Sequence, residues 1–501
     1  MTNRSMLVGA TLFLFFVQSA GLLSSSPDSL QGPKENFKNV LESLGFIVDQ
    51  RGQLVNLDMY VKFCEGTWPS AFGNNKDTPY LVFKMDPLAV GFQAMSFQMN
   101  PDEALVFIGK TPPEALYFSY TAFLNVRFSP EEKTLKLLMS NLGDSLNHRT
   151  IRTAGTFFGA AGNPFSQDTM IIVSADQSVA SLVTSAAAAA GFPLSLINIL
   201  PIPGNWVRLG KTVQNDRLAI VMRCAFFKDV DAGNRYLGLD TMAHGEAVSP
   251  AAVVWRVTPI AGGQPSISLN PFQPQPLRVR GTGETEYGLW DKVQTLRAAI
   301  INSYPGYEAQ DLDISLLIPE GGEAIQRGIN AWAPTRDALY LGTQEFFTLA
   351  DDEFLVVYGV NHKASSKATY SSAIAYAMDP VVTDFPFGPN APGWTSWREY
   401  IGLTSINSEE HMQGSARAFL TQSDIPRNAN GEDLLYAVKV ARWQDPSDGA
   451  VCRVLPPPVC GRMTFTEFLV GFRAYVEPLT KIGPSYSELI YDRVIKFRPR
   501  R

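Results

Sequence analysis

With 501 residues, 45% of them hydrophobic and 18% charged, the chain is an ordinary folded protein and not a disordered one, long enough for two or three cores. Its net charge of −6, with no basic block before the tail Arg498–Arg501, excludes nucleic acid as an expected partner.

The first residues set the expected compartment. Arg4 precedes the apolar run Met6–Val17, and the small residues Ser19, Ala20 and Gly21 follow. This is the pattern of a signal peptide over residues 1–21, too short for a bilayer span of about 20 apolar residues. Export to an extracellular or periplasmic space is expected, with an uncleaved membrane-tethering anchor as the alternative. No later stretch reads as a membrane span. The four cysteines suit an oxidising compartment, and Cys452 and Cys460, bracketing CRVLPPPVC, are the expected disulfide.

Beyond the leader, Phe37–Phe46 reads as a short helix, and Tyr80–Met85, Ala104–Ile108 and Ala115–Phe128 as strands. In the last, Phe118, Tyr120, Ala122, Leu124, Val126 and Phe128 alternate onto one face. Leu135–Met139 is a further strand. Asp168–Pro203 reads as a βαβ unit: strand Met170–Val173, helix Ser178–Ala190 with Asp176 as N-cap, strand Leu194–Leu200. A second such unit is expected over Leu277–Ile318, with strand Leu277–Arg280, helix Glu286–Ser303 and strand Ile314–Ile318. Between them, Gly262–Pro276 is the candidate linker, dividing an N-terminal domain (27–261) from a C-terminal one (277–501), unless the two pack as one body. Phe354–Tyr358 is a continuous apolar strand of the kind covered on both faces, and Ala368–Met378 follows it. Phe468–Val476 is another strand, and Ser485-x-x-Glu488 is a capping box for a final helix. The expected class is α+β, with mixed sheets, β-hairpins and long Pro/Gly-rich loops.

Several motifs fail on inspection. Gly143-Asp144-Ser145-Leu146 spells the nucleophile tetrapeptide of a lipase/esterase superfamily, whose chemistry also needs Asp-x-x-His. The residues three before His148, His244, His362 and His411 are Ser145, Thr241, Gly359 and Ser408, so that partner is missing. Gly204–Thr212 has one residue too many between its glycines for a P-loop, and bulky side chains where phosphate would sit. Gly281-Thr282-Gly283 has the context of a dinucleotide loop, but Glu284 and Glu286 would repel a pyrophosphate. Asp229, Asp231 and Asp240 approach calcium-loop spacing, although Gly233 and Asn234 stand in the reverse of the order such a loop uses. No cofactor is expected beyond that weak Ca2+ candidate.

Two of only four histidines follow an asparagine near the end of an apolar run and precede a cation: Asn147-His148-Arg149 and Asn361-His362-Lys363. Imidazole serves as a general base, and a neighbouring cation suits an anionic ligand. The expected function is binding of a small-molecule ligand in a cleft near these two turns, with Asn147, Arg149, Lys363 and Asp176 as ligand contacts. The alternative is an exported hydrolase or lyase using His148 and His362, oriented by Asp144 and Asn361. A calcium-stabilised extracellular interaction protein is the third reading.

Overall fold

Strand-forming sequence dominates, and most strands are buried on both faces. The computed structural model describes residues 31–501 apart from 66–67, 69–70, 90–93, 242–245, 261–266, 317–319, 380–398, 445–451, 456–459 and 461–465. The expected signal peptide therefore lies outside the described residues.

Among the described residues the strands form three sheets. The largest runs, edge to edge, through Thr134–Asn141, Ala115–Ser129, Arg217–Phe227, Tyr80–Lys84, Phe46–Leu57, Glu246–Pro259, Ala104–Lys110, Asp168–Ser174 and Ile197–Pro201. A five-stranded sheet holds Phe354–Val360 between Arg493–Pro499 and Leu435–Ala441. A six-stranded sheet centres on Glu467–Tyr475, between Ala338–Thr343 and Tyr370–Asp379. Pairing is antiparallel throughout except for Asp168–Ser174 with Ile197–Pro201 and Leu435–Ala441 with Cys452–Val454. The class is α+β, as expected.

The strand Phe354–Val360 is covered on both faces. Leu355 and Val357 enter one hydrophobic cluster while Phe354, Val356, Tyr358 and Val360 enter another. The first of these clusters also takes Val55, Val82, Phe123 and Val221 from the N-terminal half and Val470 and Phe472 from the C-terminal half. One continuous core thus joins the two halves.

In Ala115–Ser129 the alternation read from sequence holds only as far as Leu124. Phe118, Tyr120, Ala122 and Leu124 pack into one cluster, but Val126 joins Phe123 on the opposite face. The pairing register shifts there, with Leu124 and Val126 opposite the consecutive residues Leu218 and Arg217. Asn125 is the extra residue of a β-bulge, and one extra residue reverses which face every later side chain meets.

The first βαβ unit forms. Helix Gln177–Ala189 links parallel strands, and its alanines Ala180, Ala186 and Ala187 let it lie close on the sheet. The second does not. Helix Trp290–Asn302 is present, but Leu277–Arg280 belongs to no strand. Its Arg278 N–H donates to Asp144 (2.7 Å), and the Arg336 guanidinium takes the Arg278 carbonyl (2.8 Å), which uses up ladder positions. After the helix, Tyr307–Leu312 and Ile314–Leu316 pair antiparallel in two different sheets.

The final helix expected after Ser485 is also absent. The Glu488 carboxylate instead accepts the amides of Thr282 (3.0 Å) and Gly283 (2.7 Å) and the Lys367 ammonium (2.6 Å). The loop that resembled a dinucleotide cradle holds one of the chain's own carboxylates. Its glycines have φ of +89° at Gly281 and +86° at Gly283, backbone that favours glycine.

The disulfide is Cys64–Cys460, not Cys452–Cys460. Cys452 sits in the edge strand Cys452–Val454, paired parallel beside Lys439–Ala441, and the Cys460 sulfur is taken by Cys64. Cys224 is a buried thiol. Among the described residues no helix is long and apolar enough to cross a membrane, and no group of three or more His, Cys, Asp or Glu is placed to hold a metal. Asp229 is the N-cap of helix Val230–Leu237, its carboxylate accepting the Ala232 amide, and Asp231 falls in that helix's first turn.

Candidate functional site: an arginine–tyrosine cavity and an Asn–His cleft

The two Asn–His turns are built differently. Strand Phe354–Val360 delivers Asn361 and His362 into a turn closed by the Ser365 amide on the Asn361 carbonyl (3.0 Å) and the Lys367 amide on the His362 carbonyl (2.9 Å). The Asn361 side chain accepts the Ala364 amide (3.4 Å) within the turn. The His362 ring points inward, with Nδ1 2.9 Å from Glu286 and Nε2 3.1 Å from Asp492, all three groups buried. Burial alone would lower the imidazole pKa, but Glu286 and Asp492 on either side hold it well above the ordinary value. Both ring nitrogens carry protons and both are donated. Such an imidazolium is a structural cation with no lone pair left for general-base work.

His148 is the opposite case. Its ring packs edge-on to Tyr117 (6.0 Å) and near-parallel to Phe165 (6.3 Å), and its Nδ1 has no hydrogen-bond partner. Burial first, then the charge of Arg149, push its pKa down to about 3. Asp144 does not orient this ring, as the sequence reading had it: its carboxylate is taken by Arg278 (3.1 Å) and Arg336 (2.8 Å). Asn147 is held by Asp337 (2.6 Å) and the Lys481 carbonyl (3.0 Å). Asp176 does not join the site either. It caps the helix Gln177–Ala189 and accepts the amides of Ser178 and Val179.

The two turns nevertheless border one cleft of about 570 Å³, to which one contributes His148 and Arg149 and the other Lys363. The His362 ring is not among its lining. Lys363 is paired with Glu409 (2.6 Å).

The two histidines have opposite pH signatures. Since an unfolded imidazole titrates near 6.5 and folded His148 near 3, the unfolded chain alone takes up that proton in between. The stability His148 allows is intact above pH 6.5 and is lost as pH falls toward 3, with a slope of up to about 1.4 kcal/mol per pH unit. His148→Gln is expected to flatten the acid limb of a stability–pH curve. An acid limb as steep as the parent's would refute the buried neutral ring.

A second cavity, of about 90 Å³, opens between the largest sheet and the six-stranded one. Its walls are Leu57, Tyr80, Val82, Val221 and Arg223 from the first and Tyr340, Tyr376, Leu469 and Arg473 from the second. Arg473 donates to the Tyr376 hydroxyl (2.8 Å) and the Gly73 carbonyl (2.7 Å), and more weakly to the hydroxyls of Tyr475 (3.4 Å) and Tyr80 (3.5 Å). Arg223 donates one nitrogen to the Ala333 carbonyl (2.7 Å) and lies over the Phe123 ring (5.2 Å) and the Tyr80 ring (5.5 Å). Its other terminal nitrogen, Nη1, is buried with no partner. Neither guanidinium has a carboxylate partner among the described residues. Burial alone would raise the Tyr80 phenol, but Arg473 and Arg223 beside it, helped by the Asn75 amide on its oxygen, hold it below the ordinary tyrosine value.

Four non-glycine residues of this wall have left-handed backbone: Phe72 (φ 52°), Met139 (φ 39°), Trp332 (φ 62°) and Ala333 (φ 54°). Each costs on the order of 1–3 kcal/mol, which surrounding structure must offset.

This cavity is not legible in the sequence, since its residues come from separate strands of two sheets. The available signal was an arginine inside each of two apolar runs, Leu218–Phe227 and Phe468–Tyr475. A charge on a strand buried on both faces needs a partner, and none stands nearby in sequence.

No family model matches the chain, and no curated protein matches it. Among solved structures it is similar to an uncharacterized protein from Burkholderia cenocepacia, at 12% identity over 94% of this chain and 90% of that one, with a TM-score of 0.33. It is also similar to the VPA0106 protein from Vibrio parahaemolyticus, at 9% identity over 87% of this chain and 96% of that one, with a TM-score of 0.34.

Proposed function

We propose that this protein is exported and binds a short-chain organic carboxylate in the Arg223–Arg473 cavity. The observation that carries the reading is a pair of guanidiniums in an apolar and aromatic cavity with no acid beside them among the described residues, one with an unsatisfied buried N–H. Burying a charge without its counter-charge costs several kcal/mol, and a ligand carboxylate removes that cost while accepting the free Arg223 nitrogen. Tyr80, Tyr340 and Tyr376 supply flat walls for an apolar body. Size restricts the ligand: about 90 Å³ is well short of the ~150 Å³ cavity that admits benzene, which points to a carboxylate of about two or three carbons. Export is supported by the apolar Met6–Val17 run before small residues, and a disulfide is compatible with it.

Thermal unfolding with propionate and with its neutral isostere propionamide tests the proposal. Propionate at 100 times its Kd is expected to add about 2.7 kcal/mol of stability, the amide far less. Arg223→Met should abolish the propionate effect, and Tyr376→Phe, which keeps both charges, should only weaken it. Equal effects of acid and amide, or undiminished propionate binding by Arg223→Met, would rule the reading out.

A further inference from the structure

We propose that the cleft between the two Asn–His turns is a second binding site, separate from the arginine–tyrosine cavity, for a phosphate monoester with a small apolar body. Its cations decide the charge of the ligand. Lys363 is already neutralised by Glu409, whereas Arg149 and Lys481 are exposed and enter no ion pair among the described residues. Two uncompensated positive charges at one mouth suit a dianion better than a carboxylate, and a phosphate monoester carries close to two negative charges at neutral pH.

A second, independent feature points to a ligand. His148 is 8% exposed, lines the cleft, and has a buried Nδ1 with no hydrogen-bond partner among the described residues. An orphaned ring nitrogen costs about 1–3 kcal/mol, recovered when a ligand atom pairs with it. An apolar wall is supplied by Phe165, Ile151 and Leu116, with Thr156 and Thr369 also bordering the space. At about 570 Å³ the cleft is several times larger than the arginine–tyrosine cavity and has room for a phosphorylated body the size of a phenyl ring. The segment Thr156–Gly162, which closes one side, carries φ of +54° at Phe158 and +78° at Gly159. The cleft therefore takes its charge from Arg149 in one turn and from Lys481, its orphan polar atom from His148, and its apolar wall from Leu116, Ile151 and Phe165.

Calorimetric titration of the full chain with phenyl phosphate, inorganic phosphate and benzoate at low salt tests this. Phenyl phosphate is expected to bind at least tenfold more tightly than either of the others, since only it matches both charge and wall. The double variant R149Q/K481Q alters two exposed side chains and is expected to weaken phenyl phosphate at least tenfold without changing the unfolding midpoint. R223M is expected to leave phenyl phosphate affinity unchanged, which separates this site from the cavity. No phenyl phosphate binding, affinity equal to that of inorganic phosphate or benzoate, undiminished affinity in R149Q/K481Q, or loss of binding in R223M would each overturn the proposal.

Discussion

His362→Leu is expected to destabilise the protein by about 3–5 kcal/mol, a large share of the 5–15 kcal/mol typical of a folded domain. The cause is what the substitution leaves behind. Glu286 and Asp492 flank the ring, and their other contacts come from Ser365 (2.5 Å), the Ile490 amide (3.0 Å) and the Tyr436 hydroxyl (2.7 Å). Without the imidazolium, two buried carboxylates face each other with no cation between them. The parent's pH dependence carries the same signature. Because folded His362 titrates well above 6.5, its contribution is complete below pH 6.5 and declines as pH rises toward the folded pKa. Denaturant unfolding of parent and variant from pH 5 to 9 would show the gap narrowing on the alkaline side. A gap that widens with pH, or a loss under 1 kcal/mol, would mean the ring is not the cation of this triad.

Removing the Cys64–Cys460 disulfide is expected to cost about 4 kcal/mol. The bond joins residues 396 apart, and loop-closure entropy for such a span comes to about 6 kcal/mol, above the 2–5 kcal/mol usually measured for native bridges. Cys64→Ser, Cys460→Ser and the double variant should lose the same amount, since one bond disappears in each. Cys452→Ser should cost under 1 kcal/mol, because its sulfur lies outside the bridge. A Cys452→Ser loss equal to that of Cys460→Ser would assign the pairing wrongly.

Local chemistry was legible in the sequence and long-range pairing was not. The helix cap at Asp176, the strand buried on both faces at Phe354–Tyr358 and the α+β class all follow from periodicity and capping within a dozen residues. What escaped depends on which distant group arrives. Glu488 reads as a capping residue because its neighbours suit one, yet it is recruited by the amides of Thr282 and Gly283. Cys460 has a near neighbour in Cys452 and pairs with Cys64. His362 sits beside a cation like His148, but Glu286 and Asp492 turn it into a buried ion, and Asp144, the apparent orienter, is claimed by two arginines. The arginine–tyrosine cavity was the least legible, because Arg223 and Arg473 come from different sheets, meet over the shared Tyr80, and donate to the distant carbonyls of Ala333 and Gly73.

The bulge at Asn125 gives the strand Ala115–Ser129 a property that its length alone would not. Up to Leu124 its even-numbered side chains serve one hydrophobic interior, and past Asn125 the even-numbered Val126 serves the other. Parity is therefore a quantity this segment must conserve on evolutionary or engineered change. Losing one ordinary ladder residue beyond Asn125 would turn the side chains after it onto the wrong face, whereas losing Asn125 itself would leave Val126 opposite Arg217 and on its own side of the sheet.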